Sequence, residues 1–273
     1  MTLRFVATGP VSASQARGAV PAGASLHVIA CTGDGAPSCG AIAEGFGPAD
    51  GPRLPGLLSR AGAPLAADDV LVLFAFSAGG SLVKRVLLHP ADRAHVAAVV
   101  LCDATYTDWA APGKPAAPEG FVRFGLDSLS GEHFLLATAS SSPNKHLPSG
   151  SETLAAIRDE IGARRGAPLP LGAVFSVKNT PAWALRSGGL VLADFGSAVS
   201  HGGHVALGSE LARSLLWPWL AGNTGPGPTG PGAPPPASPA SPAAATGVFG
   251  AVAAFGLGVG VGYVAARLVL AQA

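Results

Sequence analysis

Ser77, Asp103 and the histidine pair His201 and His204 are residue types that together can perform nucleophilic chemistry. A serine hydroxyl attacks a carbonyl when a histidine takes its proton and an acid fixes the histidine's tautomer. Ser77 lies in FAFSAGG, at an abrupt change from large apolar to small residues. A turn tight enough to lift a hydroxyl off the chain needs small residues two before and two after it. Here they are Ala75 and Gly79, so the motif reads A-x-S-x-G rather than G-x-S-x-G. In a chain this rich in Ala and Gly the motif alone carries little, and the plainer role for such a Ser is to cap a helix. The flanking elements give it meaning.

Val70 to Phe76 is a continuous apolar run, too short for a helix, and predicts a strand buried on both faces. Leu82, Val83, Val86 and Leu87 then recur at helical spacing, and Pro90 stops that helix. Val96 to Cys102 is a second buried strand ending in Asp103, at the sheet edge where ligands bind. Taken alone, an Asp there more often bonds its own turn. Asp108 lies further along and is the weaker candidate. Glu44, Asp50, Asp68 and Asp69 follow no apolar strand and receive no role.

His133 to Ala139 predicts the next strand, with no acid in its exit, SSSPNKHLPSG. Ser149 and Glu152 form a capping box for a helix with Leu154, Ile157 and Ile161 as its apolar stripe, ended by Gly166. Leu190 to Ala193 mark the last strand. The loop GSAVSHGGH follows, and Val205, Leu207, Leu211 and Leu215 mark a closing helix. At the other end, Thr2 to Ala7 reads as an edge strand. Ser25 to Ala30 is the first strong strand, running into the loop CTGDGAPSCG, and a short helix lies around Leu54 to Arg60.

From roughly Leu3 to Ala221 the chain resembles the α/β-hydrolase superfamily, on the elbow at Ser77, the acid after the next strand and a His near the domain's end. The resemblance implies an α/β fold with a mostly parallel central sheet flanked by helices. It implies an ester substrate, either a small molecule or a lipid, and no cofactor. The commonest position for the acid, after His133 to Ala139, is empty, which moves that role to Asp103. The base belongs between the last strand and the last helix. His204 is preferred, because it abuts the helix and its glycine neighbours let the ring turn inward; His201 is the alternative. The N–H of Ala78, with one from Thr32 or Gly33, would hold the oxyanion. The rival reading is a non-catalytic module of the same fold, displayed on a membrane to bind a partner; Ala75 in place of Gly and the doubled His favour it.

Composition fits this class. A chain of 273 residues can bury one sizeable α/β core. With 12% charged residues, net charge +1 and no basic run, nothing points to nucleic acid. Three Cys make no disulfide framework, although Cys31 and Cys39 flank one loop and could bridge, and Cys102 lies in an apolar run as a buried thiol. No C-x-x-C or H-E-x-x-H pattern suggests a metal. The N-terminus lacks the apolar stretch of a signal peptide.

Beyond the domain, 1–221, the composition shifts. Residues 222–246 hold eight prolines and predict an extended, semi-stiff, disordered linker. Gly247 to Ala266 is a stretch of twenty residues without a charge. At 1.5 Å per residue it matches a bilayer core of about 30 Å, so a C-terminal transmembrane helix is expected over 247–270. Gly250, Ala254, Gly258, Gly262 and Ala266 form a small-residue stripe suited to self-association. Membrane anchoring through the C-terminus follows, with the side left open. Arg267 favours a cytoplasmic C-terminus, whereas a tail anchor without a signal peptide would leave the domain itself cytoplasmic.

Overall fold

In the computed structural model the described residues are 2–32, 37–48, 50–143 and 146–223. They belong to the unit Met1–Ala233; the second unit, Pro234–Ala273, lies outside them, as do residues 224–246 of the expected linker and the expected apolar helix with its Gly/Ala stripe. Strands β1 (Leu3–Gly9), β2 (Ser25–Ala30), β3 (Val70–Phe76), β4 (Val96–Cys102), β7 (Phe134–Ser140), β8 (Trp183–Ser187) and β9 (Leu190–Gly196) form one sheet, in the order β2-β1-β3-β4-β7-β9-β8. All pairings are parallel except β8 with β9. A two-stranded ribbon, β5 (Trp109–Ala111) with β6 (Lys114–Pro115), rises after β4.

The period-2 pattern of the strands sorts their side chains onto two faces. In β3, Leu71, Leu73 and Ala75 enter one core while Val72, Phe74 and Phe76 enter the other. The first core is closed by α2 (Cys39–Glu44), α3 (Leu54–Ala61), α4 (Gly80–Val86), α6 (Glu119–Leu129) and α7 (Gly150–Arg165). The second is closed by α1 (Ala13–Arg17) and α8 (His204–Leu211), which runs through one wide π turn, Ala212–Leu216, into α9 (Trp217–Asn223). A short helix, α5 (Pro90–Ala94), links α4 to β4. Central strands such as β3 are buried on both faces, so truncating Phe74 to Ala should cost about 3–5 kcal/mol.

Local signals held where expected. Ser149 and Glu152 make the reciprocal capping box of α7, and Gly166 ends that helix in the left-handed conformation. One feature differs from expectation. The N-terminal strand β1 is not an edge: it pairs β2 on one side and β3 on the other, and Phe5, Val6 and Ala7 are fully buried. β9 is the last strand in chain order, as expected, and β8, which the sequence reading did not single out, pairs it antiparallel and takes the sheet edge. Cys31 and Cys39 are joined as a disulfide, while Cys102 is a buried free thiol. Among the described residues no helix is long and apolar enough to cross a membrane.

Candidate active site

Strand order decides what surrounds Ser77. The chain places β1, then β2 on its outer side, then returns to put β3 on its inner side. Sheets that reverse in this way open a crevice at the carboxyl ends of the two strands astride the reversal. Ser77 sits there, immediately after β3, in a short 3-10 turn (Ser77–Gly79) that feeds α4. Its φ is 54°, left-handed for a residue with a side chain. Close backbone approaches enforce the turn. A Cβ on Gly79 would lie 2.2 Å from the Thr8 carbonyl oxygen, and one on Gly80 would lie 1.7 Å from that of Ala104. The elbow is thus wedged between the ends of β1 and β4, and the hydroxyl of Thr8 reaches the Gly79 carbonyl at 3.2 Å.

Asp103, one residue past β4, also has positive φ, at 45°; among the described residues these two are the non-glycine residues in that region. Each such conformation costs about 1–3 kcal/mol and persists only where its surroundings over-determine it. The carboxylate of Asp103 is fully buried and saturated with donors. Its Oδ1 accepts from the Ser140 N–H at 3.0 Å, and its Oδ2 accepts from the hydroxyls of Ser140 and of Tyr106, the latter at 3.2 Å. Nδ1 of His201 stands 2.7 Å from the same Oδ2. Burial pushes this carboxyl's pKa up, but the hydrogen bonds from His201 and Ser140 outweigh burial and hold it below the usual carboxylate range. The first turn of α7 adds its dipole: a Cβ on Gly150 would meet Oδ1 at 2.2 Å.

His201 is stacked on Phe76 at 4.8 Å between centroids and meets Tyr106 edge-on at 6.1 Å. An ionised carboxylate accepts only, so Nδ1 carries the proton and Nε2 offers a lone pair. Ser77 and His201 line a cavity of about 610 Å³ together, with no hydrogen bond between their side chains. Catalytic hydrogen bonds are often long in unliganded sites and tighten with substrate.

His204, the preferred base in the sequence reading, is elsewhere. The ring does turn inward, but beneath the site. It is fully buried, with Nδ1 2.9 Å from the Thr138 hydroxyl and its edge toward Phe195. Thr138 donates to the Leu101 carbonyl at 3.4 Å, so Nδ1 of His204 donates to Thr138 and Nε2 is left without a partner. Burial lowers this imidazole's pKa, although Asp103 partly opposes the shift. The geometry therefore puts His201, not His204, on Asp103. Asp194 is bound to Ser151 at 2.6 Å and to its own turn through the Gly196 N–H at 2.9 Å, while Asp108 lies exposed on the cavity wall.

Thr32 does not suit the oxyanion role. It follows β2, two strands from β3, and its N–H donates to the Pro37 carbonyl at 3.3 Å. Gly33 lies outside the described residues. The loop that meets the elbow follows β1 instead: a Cβ on Gly9 (φ 113°) would lie 2.1 Å from the Phe76 carbonyl oxygen. Ala78 heads the turn after Ser77 and lines the cavity.

Two site residues escaped the sequence reading. Ser140 ends β7, where an acid was sought, and holds the acid of the neighbouring strand instead. Tyr106 stands three residues beyond Asp103, and that spacing was the available signal. A larger cavity of about 830 Å³ opens at the amino ends of β3 and β4, the sheet edge opposite Ser77, and lacks a positioned nucleophile. Among the described residues no three or more His, Cys, Asp and Glu side chains gather to hold a metal.

No protein-family model matches the chain, and no curated protein matches it. Among solved structures it is similar to LpqC, a poly(3-hydroxybutyrate) depolymerase from Bordetella parapertussis, over 80% of this chain and 79% of that one. The identity is 19% and the TM-score 0.41, a distance at which the likeness says nothing of activity or substrate.

Proposed function

We propose that the chain is a serine hydrolase of acyl esters that works through a covalent acyl-enzyme. The observation carrying this reading is the pairing of a strained Ser77 with a His201 whose Nδ1 is locked on buried Asp103, across one cavity. Ser77 attacks the acyl carbonyl. His201 Nε2 takes its proton and returns it to the leaving alkoxide, then activates water for the second half-reaction. Asp103 fixes the tautomer and stabilises the imidazolium. The Ala78 N–H holds the oxyanion; a donor of this kind is worth roughly 3 kcal/mol.

The same proposal includes a tether. The uncharged segment 247–266, beyond a proline-rich stalk, anchors the domain to a membrane, and its Gly/Ala stripe permits self-association. The Cys31–Cys39 disulfide favours display on the oxidising side, in keeping with Arg267 on the cytoplasmic side.

A fluorophosphonate probe tests the chemistry, since it labels only an activated serine. Folded protein should be labelled at Ser77, and Ser77→Ala should remove the label while the folded state persists. Absence of labelling in folded protein would leave a non-catalytic module of this fold as the better reading.

A further inference from the structure

The face of α4 that continues from the elbow into the cavity is polar: after Ser77 and Ala78 come Ser81 and Lys84, one and two turns further on. From Ser77 to Lys84 the helix rises roughly 10 Å. Helical side chains lean toward the N-terminus, which returns the Lys84 stem toward the serine. Lys84 is half-buried, and its ammonium makes one long hydrogen bond, to the Tyr106 carbonyl at 3.4 Å. An ammonium has three donors, and a half-buried one with donors unspent carries a desolvation cost that a ligand could repay. Asp108, also on this wall, is exposed and forms no ion pair with Lys84. Burial draws the Lys84 pKa below its usual range and Arg85 adds to this, while Asp108 opposes it. The other walls supply Thr107 and Ser142 beside Pro143 and Leu147, so polar and apolar groups share this cavity.

We infer that Lys84 is a specificity-determining residue that receives a carboxylate on the substrate, so that the preferred ester carries an anionic group several bonds from its reacting carbonyl. This rests on the serine hydrolase reading. The carboxylate replaces the Tyr106 carbonyl as the partner of the ammonium in a charge-assisted hydrogen bond. A free acid product would retain the same group, so such a product should compete with substrate.

The test compares two 4-nitrophenyl esters of matched length on the full chain: the monoester of glutaric acid, with a free terminal carboxylate, and the neutral valerate ester. The expected ratio of kcat/KM favours the anionic ester by about tenfold or more, carried mainly by KM. Lys84→Met should bring that ratio close to one, and Lys84→Arg should keep it. Equal rates for the two esters, or a preference that survives Lys84→Met, would overturn the inference while leaving the hydrolase reading intact. If neither ester is cleaved and the fluorophosphonate does not label Ser77, the proposed function fails and this inference with it.

Discussion

Nδ1 of His201 lies 2.7 Å from Oδ2 of Asp103, joining a loop before the last long helix to the carboxyl end of the fourth strand. The carboxylate is fully buried, whereas the imidazole is partly open to the cavity that Ser77 shares. This arrangement suits a base that must be oriented from behind and reached from the front. It also separates the two histidines of the loop: His201 faces the cavity, and His204 packs against Thr138 beneath it.

The histidines should part experimentally. His201→Ala should lower kcat/KM for an activated ester by about 10⁴-fold or more, with a loss of about 1–3 kcal/mol in chemical denaturation, because it takes one hydrogen bond from the buried Asp103 carboxylate. His204→Ala should retain fluorophosphonate labelling but cost about 2–4 kcal/mol in chemical denaturation, because it opens a cavity and removes the donor to the Thr138 hydroxyl. The reverse pattern would return the base to His204.

Acid should destabilise the fold in two windows. His204 has a folded pKa below its ordinary 6.5, so the unfolded chain takes up a proton first and stability falls as pH drops below about 6.5. Asp103 has a folded pKa below its ordinary 3.8; the stability it contributes is present above about pH 4 and is lost as pH falls through the folded value. A Tm series from pH 8 to 3 should show both losses. His204→Gln should flatten the upper one, and Asp103→Asn the lower.

Tyr106 should act as a positioning residue. Its hydroxyl draws on the same Asp103 oxygen that orients His201. Removing that donor with Tyr106→Phe makes the carboxylate more basic and the imidazolium more stable. The acid limb of the kcat/KM profile should therefore move to higher pH, with a loss at the optimum of less than about tenfold. An unmoved limb would reduce Tyr106 to wall packing.

The tail should matter for place, not for chemistry. Removing residues 224–273 should give a domain with undiminished ester turnover, since the π turn and α9 already close the second core through Leu216 and Leu220. The full chain should sediment with membranes and resist alkaline carbonate, and the truncated chain should not. Gly258→Leu should weaken self-association without releasing the chain from the membrane.

The sequence by itself determined what is local. The elbow was legible because its causes lie within a few residues: an apolar strand, Ala75 and Gly79, and a helical repeat after them. Asp103 was legible for the same reason, as a polar residue ending a buried run. Tertiary structure decided what depends on pairing between distant segments. Nothing in Thr2 to Ala7 says that this strand will be flanked on both sides, so the loop facing the elbow follows β1 rather than the Gly-rich stretch after β2. His201 and His204 stand three residues apart in almost the same glycine-rich setting. One lies in a short turn that lines the cavity and the other opens α8 facing Thr138, and only the placement of that helix against the strands decides which ring meets Asp103. The support from Ser140 arises the same way, because β4 and β7 are adjacent in space while α6 separates them in sequence. Local steric and periodic rules act along the chain, whereas strand order and helix docking are set by the burial of whole faces, which no short window contains.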